Sequence, residues 1–227
     1  LQHRVGNGMV YSSKYIDDDE ARNKLLKNIS GGRLTDPLQI KFRTGRRLKN
    51  WNKNCIALGL ASGFLEPLES TSIHLIQRGV LRLMQLFPIT GIKQPDVDEY
   101  NKQSLLEIHN IRDFIILHYK VTNRQDSPFW RYCRSMEVPD SLQHRIDLFR
   151  ESARVFKIPN ELFGENSWIQ VMLGQGLIPE HYHQTVDVMG DQELTRFMEN
   201  IRTHVEKTVA RLPNHQAYVE QYCKARA

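Results

Sequence analysis

The spacing of apolar residues changes near Pro95, and this change limits the fold more than any other feature of the chain. Beyond Pro95, apolar residues such as Ile108 and Ile111 recur at the three- and four-residue intervals of amphipathic helices. Before it, short apolar runs lie between glycine-containing turns, which is typical of strands that alternate with helices. The sequence therefore predicts an α/β domain over residues 1–90 and a mainly α-helical domain over residues 91–227.

Within the first domain we expect, in chain order, a strand and turn at residues 4–13, a helix beginning near Asp17, a hairpin with arms at 38–42 and 46–51, a buried strand at 55–60 and a helix at about 70–87. The hairpin is predicted by the alternation of Leu38, Ile40 and Phe42.

In the second domain we expect helices around residues 105–118, 140–156, 168–173 and 191–209. The last is expected to bury an apolar face that includes Phe197 and Ile201. His118 is expected at the edge of the helical core.

Charge and cysteine content exclude several classes of partner and site. The 227 residues carry 31 Lys and Arg against 26 Asp and Glu, a net charge of +5. Because this surplus is small and mostly scattered, no nucleic-acid partner is predicted. The three cysteines show no metal-ligand spacing, and their odd, sparse number fits a reducing compartment, so we expect a cytoplasmic protein. No apolar stretch approaches about 18 residues, which predicts no membrane span.

The segment from Cys55 to Gln77 carries the strongest sign of a binding site. Small residues that include Gly59 and Ala61 let a flat or phosphorylated ligand approach the backbone. Residues 70–72 then open a helix, whose free N–H groups favour an anion. Glu69 directly precedes that helix. Its position alone is typical of a structural helix-end charge, and the small residues and donors around it also suit a catalytic carboxylate.

The stretch GLASGFLEPLESTSIH at residues 59–74 resembles a segment of the flavin-dependent tryptophan halogenase family nearly residue for residue. Supporting stretches are LQHRVGNGMVYSS (1–13), KFRTGRRLKNW (41–51), HYKVTNRQDSPFW (118–130) and SWIQVMLGQG (167–176). Together they cover most of the chain. The resemblance implies the C-terminal part of a flavin monooxygenase-like α/β fold, followed by a helical domain on the substrate side.

The resemblance also implies an activity. Reduced FAD, delivered by a flavin reductase, and oxygen would oxidise chloride or bromide, and an electron-rich aromatic compound of the indole or tryptophan type would be halogenated. Glu69 would orient the halogenating species and take up the ring proton. The N–H groups of Thr71 and Ser72 would hold the halide. No metal is implied, and a homodimer is compatible with the resemblance.

The flavin contacts follow from the same resemblance. Leu60 and Ile73 would contact FAD through their backbone, with Gly59 and Ala61 beside them.

Two differences between this sequence and the family pattern bear on halide and substrate specificity. Ser72 stands where many tryptophan-acting members have glycine, so bromide is a plausible halide. Residues 157–176 lack the tyrosine pair and glutamate that clamp a free amino acid, so an indole or larger aromatic substrate stays an alternative to free tryptophan.

The family's G-x-G-x-x-G motif, catalytic lysine and W-x-W-x-I-P motif all precede the point that corresponds to Leu1. Residues 1–4 resemble what directly follows the last of these motifs. We therefore expect a fragment that lacks the N-terminal dinucleotide-binding part and is inactive alone. Two alternatives are a non-halogenating flavin-dependent monooxygenase relative and a non-catalytic helical interaction module.

Overall fold

A computed structural model describes residues 4–223 of the protein, and helices dominate it. The helices are α1 (Asp18–Lys27), α2 (Ser72–Gln85), α3 (Gln94–Lys120), α4 (Pro128–Ser135), α5 (Asp140–Ser152), α6 (Glu165–Gly174), α7 (Asp191–Arg211) and α8 (His215–Tyr218). The strands are β1 (Gly45–Arg46), β2 (Trp51–Asn52), β3 (Cys55–Ile56) and β4 (Gly63–Phe64). Among these described helices, none is long and apolar enough to cross a membrane.

The described chain forms two compact units. The first comprises residues 4–11, 18–35 and 183–223, and the second comprises residues 12–17 and 36–182. The expected boundary near residue 90 lies inside the second unit and stays a prediction.

The strands are much shorter than the sequence pattern predicts. β1 pairs antiparallel with β4, and β2 pairs antiparallel with β3, each over two residues. The expected strands at 4–13 and 38–42 are wrong as far as the structure describes them; residues 1–3 lie outside the described part. Leu38 and Ile40 are 83% and 71% exposed. Alternation predicts two faces, but a strand also needs a ladder of backbone hydrogen bonds to a neighbouring strand, and residues 38–42 belong to no strand in the described part of the chain.

Of the buried strand expected at 55–60, only Cys55–Ile56 forms, and a 3-10 turn at Gly59–Ala61 follows. Continuous apolar character therefore did not indicate a buried central strand here. In contrast, the helices expected in the second domain and the helix after residue 70 are confirmed, because their apolar spacing extends over several turns.

α3 organises the second unit. Its carboxyl-terminal half contributes Phe114 and Leu117 to a core shared with α5 and α6, in which Trp168 is 1% exposed. Its amino-terminal half packs Tyr100 against Trp51 at the β2–β3 hairpin, with ring centroids 5.6 Å apart. The packing fixes α3 as the element to which both the hairpin and α2 are attached.

The expectation that α7 buries an apolar face is wrong within the described residues. No residue of α7 is buried, and Phe197 and Ile201 are 51% and 45% exposed. Amphipathic spacing shows that a helix has an apolar face, but it does not supply the surface that covers that face.

Candidate active site at the start of helix α2

A strained turn lies just before α2. Glu69 and Ser70 both have positive φ, at 67° and 51°. Each non-glycine residue held in the left-handed region costs on the order of 1–3 kcal/mol, and such residues cluster at functional sites. Because the chain keeps this conformation at two consecutive positions, the direction of the Glu69 side chain is set by the turn.

The Glu69 carboxylate points to α3. Its Oε1 lies 3.0 Å from Nε2 of His118, and the two side chains are 35% and 17% exposed. The other ring nitrogen of His118, Nδ1, lies 2.8 Å from the backbone oxygen of Phe114. The ring of His118 also stands edge-on against that of Phe114, with centroids 4.9 Å apart. His118 is thus fixed by the core and in turn fixes Glu69.

A second carboxylate in the same loop has a second partner on α3. The hydroxyl of Tyr119 donates to Oε1 of Glu66 over 2.5 Å. Burial raises the pKa of Tyr119 well above its usual value, and the Glu66 carboxylate raises it further. The phenol therefore stays protonated and holds the Glu66 carboxylate against α3.

Thr71 and Ser72 occupy the start of α2. Thr71 is the N-cap residue and is 4% exposed, whereas Ser72 is exposed. No side chain caps this helix end, and its first turn contains no acidic residue. The first N–H groups of a helix lack intrahelical acceptors, so this end is suited to an anion.

The structure brings most of the expected ligand-binding residues to one cavity. A cavity of about 280 Å³ is lined by Gly59, Leu60, Thr71 and Ser72, together with Ile76 and other residues of α2 and α3. Gly59 has a φ of +60°, and a Cβ there would approach the side chain of Ile76 at 3.4 Å. The turn therefore lies close against α2.

Two of the expected residues and the carboxylate lie outside the lining of that cavity. Ala61 and Ile73 are exposed, as is Leu60, and Ile73 and Leu60 are 78% and 74% exposed. Glu69 is not among the lining residues and contacts His118 of α3. The halide-side residues and the carboxylate are adjacent in sequence but face different neighbours.

A second cavity, of about 380 Å³, opens beside Glu66 and Tyr119. Apolar residues of α3 and Leu65 line it, together with Arg46, His109 and Arg112. Burial lowers the pKa of His109, and the neighbouring Arg112 and Arg46 lower it further. The two guanidinium groups are therefore the main positive charges at this cavity.

Sequence reasoning missed the α3 side of the site. His118, expected only as a core-edge residue, is the partner of Glu69, and Tyr119 is the partner of Glu66. The adjacent pair His118–Tyr119 in one helix, matched with two carboxylates three residues apart in one loop, is a signal that becomes visible only when both segments are compared. Within residues 4–223, no three His, Cys, Asp or Glu side chains form a metal site.

Comparison with known proteins gives a consistent set of relatives. The family model for tryptophan halogenase matches residues 1–191. The Tryptophan 7-halogenase KtzQ of Kutzneria sp. (strain 744) is 27% identical over 243 residues, which cover 97% of this chain and 45% of that protein.

Solved structures agree with this result. A flavin-dependent halogenase from Xanthomonas campestris is 58% identical with a TM-score of 0.92, over 96% of this chain and 44% of the other. A flavin-dependent halogenase from Brevundimonas sp. BAL3 is 44% identical with a TM-score of 0.88, over 93% of this chain and 43% of the other. The chain thus spans less than half the length of each of these three relatives.

Proposed function

Because the chain belongs to the tryptophan halogenase family, we propose that it supplies the halide-binding and proton-accepting part of a flavin-dependent halogenase. One observation carries this proposal: a carboxylate on a strained turn, Glu69, directly precedes an uncapped helix start at Thr71 and Ser72. An anion site and a base are therefore adjacent in the chain.

The residues present fit a flat flavin ring. Leu60 and Ile73 expose most of their apolar surface, Ala61 beside Leu60 is exposed, and Gly59 has no side chain to block a ligand. These four residues would hold FAD. The chemistry supplied by bound reduced FAD, together with oxygen, is the two-electron oxidation of a halide to an electrophile. A separate flavin reductase would deliver the reduced cofactor.

The chain's own residues have distinct parts in this scheme. The N–H groups of Thr71 and Ser72 would bind chloride or bromide at the positive end of α2. Glu69 would orient the electrophile towards an aromatic ring and accept the proton that the ring loses. A positioned acid–base group of this kind contributes about 10²–10⁴-fold to a rate.

For the substrate, we propose an indole or a larger electron-rich aromatic compound. The Kutzneria relative is by name a tryptophan halogenase, which supports an indole-type ring. Residues 157–176 lack the pair of tyrosines expected for clamping a free amino acid, which favours substrates other than free tryptophan.

The test uses a chimaeric polypeptide in which this chain follows the amino-terminal part of the Xanthomonas enzyme. We expect it to halogenate indole when reduced FAD, oxygen and bromide are supplied, and to form no product without halide. A hydroxylated product that forms without halide would instead establish the monooxygenase alternative.

In the same chimaera, we expect Glu69→Gln to lower the turnover number by about 10²–10⁴-fold and to leave FAD binding unchanged. The matched control is Glu99→Gln, which alters an exposed glutamate of α3. Product formation is measured by chromatography and FAD binding by flavin fluorescence. Near-normal turnover in Glu69→Gln would reduce Glu69 to a helix-end charge.

A further inference from the structure

The cavity of about 380 Å³ beside Glu66 and Tyr119 runs along one face of α3. Its lining residues on that helix are Ile108, His109, Arg112, Ile115, Ile116 and Tyr119. Because these positions recur at three- and four-residue intervals, their side chains share one side of the helix. A cavity of this size, mostly apolar and with a few polar groups, is typical of a small-molecule site.

The middle of this cavity is apolar and firmly supported. Between Arg112 and Tyr119 the helix contributes Ile115 and Ile116, which we call the apolar wall. Ile115 is buried, and Ile116 packs against the core that α3 shares with α5 and α6. A ligand that places a ring on this wall removes apolar surface from water, which favours binding.

The positive groups of the cavity lie close to one another. Burial, and after it the charges of Arg112 and Arg46, lower the pKa of His109, so its ring is neutral at neutral pH and both guanidinium groups lie near it. Arg46 comes from β1, whereas His109 and Arg112 precede the apolar wall on α3. This part of the cavity is therefore its basic end.

Both guanidinium groups keep donors for a ligand. Nε and Nη2 of Arg112 lie 2.8 and 2.6 Å from Oδ1 of Asp113, which leaves Nη1 as a further donor. Nη1 of Arg46 donates to the backbone oxygen of Arg47 over 2.9 Å. Among residues 4–223, no carboxylate forms an ion pair with Arg46. The basic end thus has an excess of positive charge, and it comes from Arg46.

One carboxylate, that of Glu66, also lines the cavity, and it accepts a hydrogen bond from the hydroxyl of Tyr119. Tyr119 is seven residues beyond Arg112 on α3, a separation of about 10 Å along the helix axis. The cavity therefore has a basic end and an acidic end, with the apolar wall between them.

We propose that this cavity binds an aromatic monocarboxylate, whose carboxylate is held by the guanidinium groups of Arg46 and Arg112. The ring of the ligand lies on the apolar wall. A guanidinium matches a carboxylate in both charge and geometry. The negative charge of Glu66 disfavours a second carboxylate at the other end of the ligand. The cavity is lined by none of the residues proposed above to bind halide or FAD.

The test uses the 227-residue chain in a halide-free buffer of low ionic strength, without flavin. Isothermal titration calorimetry compares indole-3-acetate with indole-3-acetamide, which has nearly the same shape and no charge. We expect the carboxylate to bind about tenfold or more tightly than the amide, as for a hydrogen bond to a charged group. Acetate, which has the charge and no ring, should also bind about tenfold or more weakly than indole-3-acetate.

Two variants locate the binding site. Arg46→Gln changes an exposed side chain, and we expect it to weaken the binding of indole-3-acetate by about tenfold and to leave that of indole-3-acetamide unchanged. The matched control is Arg134→Gln, which removes the same charge from an exposed position of α4 outside the cavity lining. It should leave the affinity for both compounds unchanged.

Three results would overturn the proposal. The first is equal affinity of the unmodified chain for indole-3-acetate and indole-3-acetamide, which needs no variant to interpret. The second is equal affinity for indole-3-acetate and acetate, which would indicate a simple anion site. The third is the same effect of Arg46→Gln and Arg134→Gln. Because the probes bind without flavin, halide or oxygen, a chimaera that fails to halogenate would reject the proposed function and leave this site standing.

Discussion

At the scale of single residues, the strained backbone at Glu69 and Ser70 sets a contact between the loop and α3. Two consecutive left-handed residues turn the loop so that the Glu69 side chain meets His118 on α3. The N–H of Ser70 donates to the backbone oxygen of Pro67, and the contact between Glu69 and His118 joins the turn to α3. Strain of this kind persists only where surrounding contacts determine it.

We predict that Ser72→Gly shifts the ratio of brominated to chlorinated product in the chimaera. The change removes a Cβ and a hydroxyl beside the N–H groups expected to bind halide, and should cost at most about 1 kcal/mol of helix propensity. Competition between the two halides at equal concentration measures the ratio. Ser72→Ala is the control that removes the hydroxyl and keeps the Cβ. An unchanged ratio, with activity retained in both variants, would exclude Ser72 from the halide site.

We predict that Tyr119→Phe lowers the free energy of unfolding by about 1–3 kcal/mol at neutral pH, because Glu66 loses its hydrogen-bond donor. The folded-state pKa of Tyr119 is raised above its ordinary value of 10.0. Above about pH 10 the unfolded chain therefore releases the phenolic proton while the folded chain retains it, and stability falls as pH rises. Phenylalanine has no phenolic proton, so the Tyr119→Phe variant does not lose stability in this way above about pH 10.

Urea denaturation at neutral pH and just above pH 10 measures both effects. The unmodified chain and Tyr119→Phe are compared at each pH, so that the titration of all other groups affects both chains alike. We expect the difference in their free energies of unfolding to become smaller at the higher pH. A difference that stays constant across the two pH values would contradict the role given to the raised pKa.

At the scale of elements, α2 and α3 are joined by charge as much as by apolar contact. The guanidinium of Arg82 donates to Oε2 of Glu107 over 2.7 Å and to Oγ of Ser104 over 2.8 Å, and all three residues are buried. Gly79 allows close packing, since a Cβ there would lie 2.7 Å from Cδ2 of Leu58 and 3.4 Å from the hydroxyl oxygen of Tyr100. The hydroxyl of Tyr100 also donates to the backbone oxygen of Gly79. Apolar residues of α2 are divided between two surroundings, since Leu83 packs against the cluster of Trp51 and Tyr100 whereas Ile73 is 78% exposed. The contacts of Arg82 with Glu107 and Ser104 thus fix α2, the helix that follows the Glu69 loop, against α3.

We predict that Arg82→Met lowers the free energy of unfolding by about 3–5 kcal/mol, because it leaves the Glu107 carboxylate buried with weaker partners. The double variant Arg82→Met/Glu107→Leu should be more stable than the single one, since both charges are then absent. Arg150→Met is the control, because its pair with Asp147 is exposed and should contribute about 1 kcal/mol or less. Urea denaturation measures the free energy of unfolding of each variant. A double variant that is no more stable than Arg82→Met would contradict the argument.

At the scale of the whole molecule, large apolar side chains are exposed around the site and elsewhere. They include Leu60, Ile73, Leu48 and Ile89, which are 74–91% exposed. The described residues by themselves leave these side chains uncovered.

We predict that the 227-residue chain by itself binds FAD much more weakly than the chimaera. A glycine-rich turn normally supplies the pyrophosphate site of a dinucleotide, and Gly6-Asn7-Gly8 is followed by Tyr11 where such a motif needs glycine. Fluorescence titration of both polypeptides with FAD makes the comparison. Saturation of the chain alone at the concentrations that saturate the chimaera would show that its own residues suffice.

The sequence by itself determined the family, the long helices and the segment that carries the site. Each is encoded locally: helical spacing repeats over several turns in α3 and α5, and residues 59–74 resemble one family segment almost completely. Thr71, Ser72 and Gly59 then meet at one cavity because they lie close together in the chain. Their roles in binding halide and flavin remain predictions.

Tertiary structure alone decided which residue Glu69 faces, which strands form and which helix faces are covered. His118 lies 49 positions beyond Glu69 in the printed sequence, and no local pattern indicates that the two meet. The alternation at Leu38 and Ile40 predicts a strand, and the spacing in α7 predicts an apolar face, but neither pattern identifies the part of the chain that would pack against it. A ladder needs a neighbouring strand and an apolar face needs a covering surface, and both depend on chain that is distant in sequence.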